Sequence, residues 1–304
     1  MKRIVSLLPS ATEIACILGC ADQLVGVSHE CDFPSEVRGR PVLTRSRIDV
    51  SGSSRSIDAG VREVIRGALS IYEIDDALLA SLSPDIILTQ DLCEVCAVSL
   101  DDVRAAVARL AHRTTVEIVS LRPTRLEHVL SDIERVAAAL DLRDRGARVR
   151  GELQARIDAI AARARTAHAR PRVVTLEWID PMMIGGTWMP ELVELAGGVA
   201  IGAHAGEPAP TIDRALLREL APDVVVIKPC GFTLERTLVE RDVIAANVLE
   251  AVPRTTRVLL TDGNAFFNRP GPRLVESLEI MAACVHPELF GDFAVKHKDV
   301  ITHP

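Results

Sequence analysis

The sequence predicts an α/β protein of two similar lobes with parallel-type central sheets, joined by one long interdomain α-helix. Three observations carry that expectation. Short β-branched and aliphatic runs alternate with segments of helical periodicity from end to end, as in mostly parallel sheets covered on both faces. Elements of the first half recur in the same order in the second. A proline-free, Arg- and Ala-rich stretch, Asp144–Ala169, lies between the halves.

Arg3–Leu8 reads as the first strand. Ser10-Ala-Thr-Glu13 then has the form of an N-cap and capping box, and Ile14–Leu18 is apolar at helical spacing up to Gly19. Leu24–Ser28 is a second strand. A helix over Ile74–Leu82 leads into a buried strand, Asp85–Gln90. Thr115–Leu121 is another strand. Apolar residues at 126, 129, 130, 133, 136, 137 and 140 predict an amphipathic helix over Arg125–Leu140. Val149, Leu153, Ile157 and Ile160 then predict one continuous helix up to Pro171, nearly 40 Å long at about 1.5 Å per residue. The strand Arg172–Leu176 follows. The expected domains are a first lobe over 1–143, a linker helix over 144–170 and a second lobe over 171–304.

The repeat is specific. Leu78-Leu-Ala-Ser-Leu-Ser-Pro-Asp-Ile-Ile-Leu88 matches Leu216-Leu-Arg-Glu-Leu-Ala-Pro-Asp-Val-Val-Val226. Arg3-Ile-Val-Ser-Leu7 matches Arg172-Val-Val-Thr-Leu176, and Arg125-Leu126 and Arg273-Leu274 each open a late helix. Three matches in one order argue for duplication.

A chain of 304 residues with 48% hydrophobic content can bury a core in each lobe. A net charge of −7 without a basic run argues against a nucleic-acid partner. No run of about 18 apolar residues occurs, so nothing is expected to span a bilayer. At the N-terminus, the apolar run is broken at Ser6 and ends at Pro9, which reads as a strand of the mature fold and predicts a cytoplasmic protein. A trimmed leader would make it periplasmic instead. Seven cysteines in a cytosolic chain point to metal or redox chemistry rather than disulfides.

Ligands of open parallel sheets bind beyond the carboxyl ends of the strands, so function is expected in those loops. They hold Ser10 and Thr12, His29, Arg45, Gln90, Glu177 and Trp178, Gly186 and Trp188, Lys228 and Phe232, and Asn264, Phe267 and Arg269. Aromatics make up only 3% of the chain, so those here suit the apolar wall of a pocket, and Arg45, Lys228 and Arg269 suit an anionic group. Cys31, Cys93, Cys96 and Cys230 also fall in these loops. As soft donors they suit zinc or an iron–sulfur cluster, although Cys93 and Cys96 also fit a turn or a redox pair. Cys16, Cys20 and Cys284 fall in helical patterns and are expected in the core.

These residues carry a resemblance. Arg3-Ile-Val-Ser-Leu-Leu-Pro-Ser-Ala-Thr-Glu13, the paired Pro-Asp strands, the mid-chain helix and Val285-His-Pro-Glu-Leu-Phe290 resemble the helical-backbone metal-receptor superfamily. These are the periplasmic binding proteins of cobalamin, haem and iron–siderophore importers, and the chain looks closest to the cobalamin branch. The resemblance implies a cobalamin-like corrinoid or related metal-centred ligand held in an interlobe cleft. It also implies an ABC permease as a partner, docked through exposed acidic residues, with Glu13 placed for that role. Two alternatives stay open. The chain could be a cytosolic metal or iron–sulfur protein using the loop cysteines. It could also be an enzyme with Asp32, Glu94 or Glu177 as acid or base, although no G-x-S-x-G, H-E-x-x-H, Walker or dinucleotide motif is present.

Overall fold

The computed structural model describes residues 1–66, 71–90, 100–108 and 116–304. The chain divides into two compact units. Unit 1 comprises Met1–Ser51, Ala59–Pro123 and Glu127–Glu152. Unit 2 comprises Gly52–Asp58, Thr124–Leu126 and Leu153–Pro304.

Unit 1 contains β1 (Ile4–Ser6), β2 (Leu24–Val27), β3 (Thr44–Ser46), β4 (Tyr72–Ile74), β5 (Ile86–Gln90) and β6 (Glu117–Leu121). Its main sheet has the order β2-β1-β5-β6, parallel throughout. β3 and β4 form a separate antiparallel ribbon. Val5, Leu7, Leu79, Ile87 and Val103 pack a core on one face of that sheet.

Unit 2 contains β7 (Arg172–Ile179), β8 (Met182–Ile184), β9 (Val199–Ala200), β10 (Thr211–Ile212), β11 (Val224–Ile227), β12 (Arg257–Thr261) and β13 (Ile301–Thr302). The order is β10-β8-β7-β11-β12-β13, with β9 against the first two residues of β7. β9, β7, β11 and β12 run parallel, while β8, β10 and β13 pair antiparallel. β11 is buried at every residue, as a run of Val and Ile in a sheet covered on both faces requires.

The predicted repeat is real at the level of single hydrogen bonds. In unit 1, Asp75 caps the helix Asp76–Leu82 by accepting from Leu78 N at 2.9 Å. In unit 2, Asp213 caps Arg214–Leu220 by accepting from Leu216 N at 2.8 Å. Ser83 and Ala221 end these helices in the left-handed region, at φ 44° and 41°, and a proline follows each. The next Asp then reaches the neighbouring strand. Asp85 Oδ2 accepts from Arg3 N, and Asp223 Oδ2 from Arg172 N, both at 2.8 Å. The Arg side chains donate back to Leu82 O and Leu220 O. One helix–Pro-Asp–strand corner is thus built twice.

Several boundaries differ from the sequence expectation. The first helix is Pro9–Ile17, with Leu8 as its N-cap and no side-chain cap. Pro9 has no N–H to be capped, so it takes the first helical position and moves Ser10 inside. Ile74 belongs to β4, because Asp75 rather than Ile74 begins the next helix. The long helix is Arg143–Ala164, about 33 Å at 1.5 Å per residue. It closes in a turn in which Thr166 N and Ala167 N bond to Arg163 O and Ala164 O. Val149, Leu153, Ile157 and Ile160 are all buried along it, on the face that their spacing marks. No described helix is long and apolar enough to cross a membrane.

Candidate functional site

In unit 1, β1 runs directly into the helix Pro9–Ile17, which brings Ser10 and Thr12 to the strand end. Thr12 Oγ1 donates to Ser6 Oγ at 2.8 Å and lies 3.0 Å from Cys31 Sγ. All three side chains are buried. Ser10 Oγ is buried with no hydrogen-bond partner among the described residues. Cys16 is half-buried, and burial together with Glu36 and Glu13 pushes its thiol up to about 12. A thiol held protonated is a poor metal ligand. Gln90 ends β5 and is buried. Arg45 pairs with Glu73, which Arg47 also reaches at 2.9 Å, so Arg45 sits in a surface ion pair.

His29 follows β2 and is exposed. Its backbone N donates to Thr44 Oγ1 at 3.0 Å, and its Nδ1 lies 2.7 Å from the same oxygen. Thr44 in turn donates to Ser28 Oγ at 3.0 Å. The imidazole is also tilted against the Tyr72 ring, centroids 5.1 Å apart, while Tyr72 donates its hydroxyl to Glu30 at 2.9 Å. Partial desolvation of the ring lowers the His29 pKa, against the opposing pull of Glu30, and so favours neutral imidazole.

In unit 2, β7 and β11 end side by side, and their ends carry Glu177, Trp178 and Lys228. Lys228 is fully buried. Its ammonium donates to Asn268 Oδ1 at 2.9 Å and lies 3.6 Å from Glu177 Oε2. Burial lowers the Lys228 pKa, partly offset by Glu177 and Cys230. Glu177 also accepts from Gly186 N at 3.2 Å, and Cys230 N donates to Glu177 O at 3.0 Å. Gly186 is required sterically, since a Cβ there would lie 2.5 Å from Ala209 N and 2.6 Å from Glu207 O. Trp178 and Phe232 pair at 5.2 Å between centroids, and the Arg236 guanidinium sits 4.2 Å over Phe232. The Trp178 indole donates to Ser54 O at 3.2 Å. Asn264 accepts from Arg269 at 3.1 Å, and Asp262 Oδ1 receives Asn264 N and Ala265 N.

Some expected site residues turn out to be interior. Trp188 is buried and donates its indole N–H to Phe267 O at 2.8 Å. Phe267 is fully buried at φ 65° and donates its N–H to Ser277 Oγ. A bulky residue in that region is strained, and these two bonds fix it. Both rings therefore pack the unit rather than forming an open wall. Glu13 is buried too, so it is not the exposed carboxylate that the docking expectation requires. Cys93, Cys96 and Glu94 lie outside the described residues. Among the described residues, no group of three or more His, Cys, Asp or Glu is placed to hold a metal ion. Asn268, Thr44, Tyr72 and Arg236 take part without having been expected. In sequence Thr44 stands beside the more conspicuous charge of Arg45, and Asn268 lies in a loop marked only by its neighbours.

The fold and these strand ends can be set beside known proteins. The sequence profile described as "Periplasmic binding protein" matches residues 4–263. The vitamin B12-binding protein of Yersinia pestis is 24% identical over 277 residues, covering 90% of this chain and 82% of the relative. A periplasmic haem-binding protein from Pseudomonas aeruginosa superposes with a TM-score of 0.69 at 19% identity, covering 94% of this chain and 93% of that one. The periplasmic vitamin B12-binding protein of Vibrio cholerae gives 0.64 at 19% identity, covering 94% and 97%. These likenesses establish the two-lobe α/β fold. They also overturn the cytoplasmic expectation drawn from the N-terminal residues, because the matched family and these relatives point to a location outside the cytoplasm. With its matched span running from β1 into the loop after β12, this chain belongs to the periplasmic binding protein family.

Proposed function

We propose that this protein binds a metal-centred macrocycle, a cobalamin-like corrinoid before a haem, and delivers it to an ABC permease. One observation carries the reading. The scarce aromatic content places a half-buried Trp178 at the strand ends of unit 2, braced by the buried Phe232 ring, in the same loop set as the partly exposed Glu177. An indole face beside a polar group suits a large, mostly apolar ligand with polar side arms. The family and the vitamin B12-binding relative support the ligand class. Zinc or an iron–sulfur cluster held by the loop cysteines is the second reading: Cys31 and Cys230 lie among the described residues and Cys93 and Cys96 outside them.

Calorimetric titration of the full-length protein with cyanocobalamin, alone and as Trp178→Ala, tests the proposal. Saturable binding that weakens at least tenfold in the variant is expected. Equal affinity in the two proteins would remove the aromatic pair from the site. Absence of binding to both cobalamin and haem would end the proposal.

A further inference from the structure

Metal-centred macrocycles share a broad ring and differ at its edge. A corrinoid carries primary carboxamide arms, which bring N–H donors. A haem carries propionates, which only accept once ionised. The polar group that stands beside the apolar contact surface therefore governs which edge is tolerated.

In unit 2 that group is Glu177, next to Trp178 near the end of β7. Its side chain is 27% exposed, whereas the Lys228 ammonium 3.6 Å away is fully buried. Oε2 takes the inward contacts, with Lys228 and with the Gly186 N–H at 3.2 Å. Oε1 has no hydrogen-bond partner among the described residues. The frame around the carboxylate is tight. Gly186 has no room for a Cβ, and Glu177 O accepts from Cys230 N at 3.0 Å. Cations in the segments that follow β11 and β12 are engaged with the protein. Lys228 donates to Asn268 at 2.9 Å, and Arg236 donates to Gly52 O and Glu240 while lying over Phe232. Arg269 is buried and donates to Asn264, and Arg273 lies over the Phe266 ring. The ion pair thus points its cation inward and its acceptor outward.

An ionised carboxylate accepts hydrogen bonds and donates none. It gains a charge-assisted bond from a carboxamide N–H, and it meets a propionate acceptor to acceptor. We infer that Glu177 is a specificity-determining residue: it selects macrocycles whose edge carries N–H donors, the carboxamide-armed corrinoids, over those whose edge carries carboxylates. This deepens the macrocycle-binding reading above and rests on it. Lys228 and Gly186 hold Oε2 inward, and Oε1 is left for the arm of the ligand.

The test holds the ring constant and changes the arms. Full-length protein is titrated, by absorption, with dicyanocobinamide, whose arms are amides, and with dicyanocobyrinic acid, the same corrin with carboxylate arms. Wild type should bind the first more tightly by about tenfold or more. Glu177→Gln, which supplies a donor, should cut that preference to about threefold or less, chiefly by gaining affinity for cobyrinic acid. Trp178→Ala should weaken both and leave their ratio unchanged within about twofold, because an indole face meets the ring rather than the arms. Glu177→Asp keeps a charge for Lys228 but draws it back by a methylene. It should reduce the preference about threefold, and it takes the place of Glu177→Gln if the unpaired Lys228 unfolds that variant. Equal wild-type affinities, or a preference that persists in the folded Glu177 variants, would overturn the inference and leave the macrocycle reading standing. Binding of haem with neither corrinoid would do the same. Binding of none of the three would end both.

Discussion

At the start of their central strands the two units are nearly copies. Asp85 in unit 1 and Asp223 in unit 2 accept the same backbone N–H at the same 2.8 Å, after helices capped by Asp75 and Asp213. At the other end they part. β1 stops after three residues and enters a helix. β7 runs for eight, leaves β9, and turns back through β8 and β10. Unit 1 ends in Thr12, Cys31 and His29, and unit 2 in Glu177, Trp178 and Lys228. The starts of the strands answer only to folding, so one solution serves twice. The ends face the region where open sheets bind ligands, and there the two copies have diverged.

Substitutions can break or sharpen this contrast. The largest expected effect lies at the divergent end. A Cβ at Gly263 would lie 2.1 Å from Pro229 O and 2.6 Å from Lys228 C, both backbone atoms. At Gly26 in unit 1 it would meet Leu43 Cδ1 at 2.3 Å and Leu82 Cδ1 at 2.7 Å, which are side-chain ends that can turn away. Gly263→Ala should therefore cost more than about 3 kcal/mol and Gly26→Ala about 1–2 kcal/mol by denaturant unfolding. Equal costs would mean that the loop after β12 yields freely.

Next comes Glu279 in unit 2. Burial raises its pKa, but hydrogen bonds from His297 at 2.8 Å, Lys296 at 2.6 Å and Arg156 at 2.9 Å outweigh this and hold it at about 2. Because the folded value is depressed, its contribution is complete above the unfolded value of about 4.3 and is lost as pH falls toward about 2. Glu279→Gln should cost roughly 3 kcal/mol at pH 7 and flatten the stability profile between those limits. An unchanged acid limb would show that the network carries no linkage.

The duplicated corner gives a symmetric prediction. Asp85→Ala and Asp223→Ala should each cost about 1.5–3 kcal/mol, as loss of a charge-assisted bond to a backbone donor. The double variant should be additive within about 0.5 kcal/mol. A marked inequality between them would refute functional equivalence of the corners. The smallest effect is at the caps: Asp75→Ala and Asp213→Ala should each lower stability by about 1 kcal/mol.

Much of this was legible in the residues, and the limits have physical causes. The Pro-Asp corners, the parallel strands and the buried stripe Val149–Leu153–Ile157–Ile160 follow from local periodicity and backbone chemistry, which a single sequence displays directly. Helix starts were less legible where two signals competed, as with Pro9 against Ser10 and Asp75 against Ile74. The site was harder still. Trp188 and Phe267 lie in the expected loops, but loop membership does not tell an inward ring from an outward one. Their burial, with the Trp188 indole bonded to Phe267 O, shows that these rings are interior. Asn268 and Thr44 act through partners 40 and 15 positions away, distances over which sequence pattern carries no signal.

The most direct test of the central claim is an absorption titration of the full-length protein with cobalamin, followed by haem. Saturable spectral shifts with at least one of them, at micromolar or lower concentration, are predicted. Spectra that remain the sum of free protein and free ligand for both would contradict it.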